Sequence, residues 1–162
     1  MAIDRPDGNA RRYPLQELMV GLVFFACACA AIALTRVHDG VAVVWPANGI
    51  AAAMLIRLRD VRWVRAGIAL LGAGLLANVV AANDAPRFAL ALTTVNLAEI
   101  AAMVALYRFA IPLPYPNLSI GQATRMTLVM GVGVTGVASL AGGFIVHDAF
   151  GGSLTRAIER FG

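Results

Sequence analysis

Glu99 stands near the middle of the apolar stretch FALALTTVNLAEIAAMVALY, residues 88–107. On a helix in lipid, an ionised side chain facing the acyl chains costs on the order of 2.5–3.5 kcal/mol. Glu99 must therefore face protein or water, or take up a proton. Asn96, three residues earlier, shares its helical face, so amide and carboxyl can form one polar patch. Asn48 and Asn78 lie deep in two other apolar stretches and are the candidate partners from other helices. These four residues make a candidate intramembrane polar centre. Two roles are open to it: a signal-sensing site, or hydrogen-bonded glue between helices.

The stretch VAVVWPANGIAAAMLI, residues 41–56, carries a second irregularity. Pro46 lacks an amide donor, so Trp45 and Pro46 predict a helix that starts late, kinks or is partly re-entrant. Asn48 adds an amide there, and Gly49 completes the interrupted segment by admitting a neighbouring helix. Other reactive types are sparse. Cys27 and Cys29, two residues apart on a helix, point roughly 200° away from each other. That spacing suits neither a mutual disulfide nor a two-thiolate metal site. His38 and His147 fall at the edges of apolar stretches, and Asp148 beside His147 does not complete a ligand set. No zinc-protease helix, phosphate-binding loop, nucleophile elbow or kinase catalytic loop occurs. The expectation is no catalytic residue, no metal, no cofactor and no enzymatic activity in this segment.

These residues need elements to position them, and the composition names the elements. The chain has 162 residues, 60% hydrophobic and 14% charged, with a mean hydropathy of +0.77. An average soluble domain carries roughly 25% charge. The apolar residues fall into blocks at 18–34, 40–56, 64–82, 88–107 and 126–146, each close to the roughly 20 residues that cross a hydrocarbon core as helix. None has the polar stripe of a soluble bundle, and residues 66–77 lack the alternation of a barrel strand. The fold class is all-α: a polytopic transmembrane helical bundle of about five spans, the second interrupted at Trp45-Pro46. Glycines 72, 74, 131, 133, 136, 142 and 143 predict close helix packing.

The organisation follows: residues 1–17 as a cytoplasmic tail, 18–150 as the membrane-integral domain, and 151–162 as a truncated tail or the start of a further helix. Arg11 and Arg12 ahead of the first block resemble a signal peptide, but the further spans make retention as an anchor the better reading. All thirteen basic residues are arginine, nine on the side of the N-terminus and four on the other. The positive-inside bias then sets the N-terminus in the cytoplasm. Such an arginine cluster is a topology and phospholipid-contact signal, with no nucleic-acid partner needed. The outer connections, 36–39 and 83–87, are too short for a ligand-binding domain. Residues 110–124, with Pro112, Pro114 and Pro116, predict a stiff extended connector.

Three motifs in order carry a resemblance: Trp45-Pro46-Ala47-Asn48-Gly49-Ile50-Ala51, then Gly72 with Ala77-Asn78, then Asn96-Leu97-Ala98-Glu99. With them the chain resembles the first type of membrane-associated sensor domain of bacteria. It departs at Asn48, where that family often has proline or threonine. The resemblance implies a multi-pass protein of the bacterial inner membrane and a sensory input module. Its relatives end in cytoplasmic diguanylate cyclase, cyclic-di-GMP phosphodiesterase or histidine kinase domains, and have more spans, so the chain reads as truncated. Implied partners are the lipid bilayer, the output domain, an unknown small ligand and a second copy as homodimer. The competing readings are a small-solute transporter or channel fragment, and a structural membrane protein. A transporter should show paired broken helices, whereas only one block here is interrupted.

Overall fold

The computed structural model describes residues 13–35, 46–58, 62–110 and 119–150, and among them every regular element is a helix. Helix α1 is Tyr13–Thr35, α2 Pro46–Arg57, α3 Trp63–Leu76, α4 Pro86–Ala110, α5 Ile120–Leu128 and α6 Thr135–Phe150. Two π-helical segments interrupt the ladders. Ala77–Ala81 extends α3, and Val129–Val134 joins α5 to α6 as one rod, since the junction residues Val129 and Thr135 keep right-handed helical dihedrals.

Four of the expected spans are present: Leu15–Leu34, Trp63–Ala81, Pro86–Phe109 and Thr124–Asp148, each of 19 to 25 residues. The expected second span is described only as the 12 residues of α2, roughly 18 Å of helix against a hydrocarbon core of about 30 Å. Trp45 and the connection at 36–39 lie outside the described residues, as do Pro112, Pro114 and Pro116. Pro46 is the first residue of α2, where its missing amide leaves no helical acceptor unmet. Gly49 requires a correction. The helix runs through it unbroken, it is exposed, and a Cβ added there would meet nothing within 4 Å. It does not interrupt α2, and among the described residues it seats no neighbouring helix.

The last connection is also shorter than its sequence suggests. Ile120 already begins a helix, because Ser119 and Gln122 form a reciprocal capping box that satisfies free amides of the first turn. Between α3 and α4 the chain reverses at Asn83, whose φ of 56° asparagine tolerates better than most residues. Pro86 then opens α4 with its ring preset to helical φ.

Helix α4 is central. It contacts α2, α3 and α6, while α1 packs on α2 and α3. The core is built from thin residues: Ala47, Ala51 and Leu55 on α2, Ala66, Leu70 and Ala73 on α3, against Phe24 and Ala28 on α1 and Ile100 on α4. Outward faces carry Leu22, Val64, Ile68, Val80 and Val137, all exposed, as lipid rather than water requires. Of the predicted packing glycines, Gly72, Gly131, Gly133 and Gly136 face open space, whereas Gly74 makes the close approach. A Cβ on Gly74 would lie 2.5 Å from Cγ2 of Thr93, a side chain with no exposed surface.

Gly74→Ala should therefore destabilise the bundle by about 1–3 kcal/mol through overpacking, while Gly72→Ala leaves it unchanged. Thermal melts in detergent followed by circular dichroism measure both. Equal melting temperatures for the two variants contradict the α3–α4 contact.

Candidate functional site: a polar cluster around α4

Helix α4 presents Thr93, Asn96 and Glu99 at three-residue spacing, and all three are buried. Stacked on one stripe, they face the protein because α2, α3 and α6 close over that side. Glu99 is 9% exposed and Asn48 2%. From α2, Asn48 Nδ2 donates to Glu99 Oε2 at 2.6 Å and to Asn96 Oδ1 at 3.1 Å, one hydrogen for each acceptor. From the first residue of α6, Thr135 Oγ1 donates to Glu99 Oε1 at 2.8 Å. The Met130 carbonyl, at 3.5 Å, is a longer second acceptor for that hydroxyl. One carboxyl group thus joins three helices, with a donor on each oxygen.

Asn78 belongs to a different layer. It is buried within the π-helical turn at the end of α3, and its Nδ2 donates to the Gly74 carbonyl at 3.0 Å and to Thr93 Oγ1 at 3.3 Å. Of the four residues expected to converge, Asn48, Asn96 and Glu99 do so directly. Asn78 reaches the stripe one step away, through Thr93.

Sequence reasoning missed Thr93 and Thr135. Thr93 shared a face with Asn96, so its spacing was a usable signal. Thr135 had none, because threonine is common in apolar helices and its partner is 36 positions away. Glu17 is 4% exposed, and its Oε1 accepts from the Arg62 amide at 3.0 Å, tying the start of α3 to α1. His38 lies outside the described residues, and His147 is half-buried on α6. Cys27 and Cys29 are free thiols packed against the core. Among the described residues, no three histidine, cysteine or carboxylate groups gather as a metal site.

Beside Glu99, between α4 and the α5–α6 rod, lies a cavity of about 540 Å³ with otherwise apolar walls such as Val95, Ala98 and Val137. Small-molecule pockets run to about 300–1,000 Å³. The cluster holds no paired nucleophile and base. What it can do is report a change in helix position, because shifting α2 or α6 against α4 alters the bonding of one carboxyl.

The family model of MASE1 matches residues 16–155, a span that contains every residue of this cluster. The chain belongs to the MASE1 family. MASE1 is a membrane-associated sensor input domain of signalling proteins, and it is not catalytic. No curated protein matches the chain, and no solved structure does. Within this MASE1 chain, the tryptophan-proline motif supplies Asn48 and the asparagine-x-x-glutamate motif supplies Asn96 and Glu99, so the direct contacts join two separate motifs.

A double-mutant cycle separates the two layers. Asn48→Ala and Glu99→Gln should each destabilise by about 0.6–1.7 kcal/mol, the range for hydrogen bonds inside membranes. Their effects should be non-additive, whereas Asn78→Ala with Glu99→Gln should add to within about 0.5 kcal/mol. Reversible unfolding in mixed micelles reads both cycles, and additivity for Asn48 with Glu99 would contradict the observed contact.

Proposed function

We propose that this MASE1 chain is the sensory input of a bacterial inner-membrane signalling protein, and that Asn48, Asn96, Glu99 and Thr135 are its signal-sensing centre. One observation carries the reading: the Glu99 carboxyl bridges α2 and α6 through Asn48 at 2.6 Å and Thr135 at 2.8 Å. A stimulus acts on such a centre by favouring one of two helix arrangements, and its effect is bounded by its differential affinity for the two. The adjoining 540 Å³ cavity offers a small ligand access to the carboxyl. The output is a cytoplasmic domain that turns over cyclic-di-GMP or acts as a histidine kinase.

The N-terminus is cytoplasmic in this reading. Glu17 accepts from the Arg62 amide and Arg108 lies over Trp63, so the start of α1, the start of α3 and the end of α4 share one face. Arg57, Arg62, Arg65 and Arg108 lie at that face, the pattern of a cytoplasmic side.

In the full-length protein, Glu99→Ala should uncouple stimulus from output, while Glu99→Gln retains folded yield because it keeps the side chain's size and one acceptor oxygen. Output activity and membrane yield are measured for both. Normal response from both variants sinks the sensing centre; loss of yield in Glu99→Ala alone, with normal signalling per folded molecule, makes the cluster structural glue.

Orientation is tested in a background lacking Cys27 and Cys29. Arg59→Cys should resist a membrane-impermeant thiol reagent in intact cells and react after lysis. Reaction from the periplasm reverses the topology.

A further inference from the structure

A second cavity, of about 420 Å³, lies on the other side of α4, between α2, α3 and α4. It exists because the facing surfaces are small. Ala66 and Gly67 on α3 oppose Ala101 and Ala105 on α4, with Leu55 of α2 among the lining residues. A Cβ added at Gly67 would meet nothing within 4 Å. Measured along α4 from Leu97 to Arg108, the slot runs for roughly 16 Å of helix at about 1.5 Å per residue, long and narrow rather than round.

Its walls are apolar, but one end is not. There the Arg108 guanidinium carbon sits 4.4 Å from the centroid of the Trp63 ring, and both side chains line the slot. The ring holds the cation in place by its quadrupole, and Trp63 is itself 46% exposed. Arg62 and Arg65 lie exposed beside it at the start of α3. Glu17, the described carboxylate of this face, is buried and engaged by the Arg62 amide. The end of the slot is therefore cationic, and tryptophan and arginine at a span's end mark headgroup depth.

We propose that this slot is a binding site for an anionic phospholipid, one acyl chain lying between α3 and α4 and the phosphate held by Arg108. The shape admits a single extended chain. The guanidinium fork matches phosphate oxygens in a bidentate pair. A zwitterionic lipid carries its own ammonium near that phosphate and so meets the arginines less favourably. The site does not depend on the role of Glu99, whose cavity is on the opposite side of α4.

The chain has two tryptophans, so Trp45→Phe leaves Trp63 as the sole fluorescent reporter at the mouth of the slot. This variant is placed in phosphatidylcholine nanodiscs containing increasing brominated phosphatidylglycerol or brominated phosphatidylcholine, since bromine quenches tryptophan within contact range. The expected result is half-maximal quenching at a mole fraction about fivefold lower for the anionic lipid. Unbrominated phosphatidylglycerol, and not unbrominated phosphatidylcholine, should relieve it, a measurement that needs no further variant. Gly67→Leu, which fills the slot, and Arg108→Gln should each abolish the preference while circular dichroism remains that of the parent. Equal quenching by the two lipids overturns the proposal. So does a preference that survives both substitutions, which would be general attraction of the arginine face for anionic membrane. Displacement of brominated phosphatidylglycerol by a stoichiometric fatty acid also overturns it, by assigning the slot to a different occupant.

Discussion

A carboxyl group in the middle of an apolar helix has no water to turn to, and that constraint organises this domain. Glu99 has to find its donors on other helices, because backbone amides of α4 are already used in its own ladder. Asn48 and Thr135 meet one oxygen each, and the packing of α2 and α6 against α4 follows from where those donors must stand. The apolar contacts around the cluster discriminate weakly, since lipid tails offer leucine and alanine much the same environment as protein does. Polar pairing and close backbone approach are left to specify which helix sits beside which.

The π-helical segments fit the same logic. Each accommodates a residue that bonds outside its own helix: Asn78 within the first, Thr135 at the end of the second. At the second, the Thr135 amide reaches the Met130 carbonyl while its hydroxyl reaches Glu99. π-Bulges occur often at functional positions, and here they stand at two of the three places where neighbouring helices send polar side chains to the stripe on α4. Thr93 and Asn78 form the layer toward the Asn83 turn, Asn48, Asn96 and Glu99 the next.

Roughly 13 Å further along α4, at about 1.5 Å per residue, the character changes from neutral amides and one carboxyl to guanidinium groups. Arg108 at that end rests on the Trp63 ring. In the proposed lipid site, anionic headgroups give Arg108 a counter-charge that the hydrocarbon cannot. One helix thus touches two environments, a dry interior that polar residues must share out among themselves and an interface where charge is readily solvated.

What the sequence by itself determined is the membrane class, four of the spans nearly to their ends, and Glu99 with Asn96 as the unusual pair. Hydrophobic length and the transfer free energy of a charge are local quantities, readable from a window of about 20 residues. The motif order carried the family as well. Only the tertiary structure decided that Asn48 closes on Glu99 while Asn78 turns to Thr93, that Thr135 is the third donor, and that Gly74 rather than Gly49 makes a close approach. These depend on the rotation of each helix about its axis. A helix with alanine and leucine on every side has no polar face to fix that rotation, so contacts 36 to 51 residues apart emerge only when all the helices are packed together.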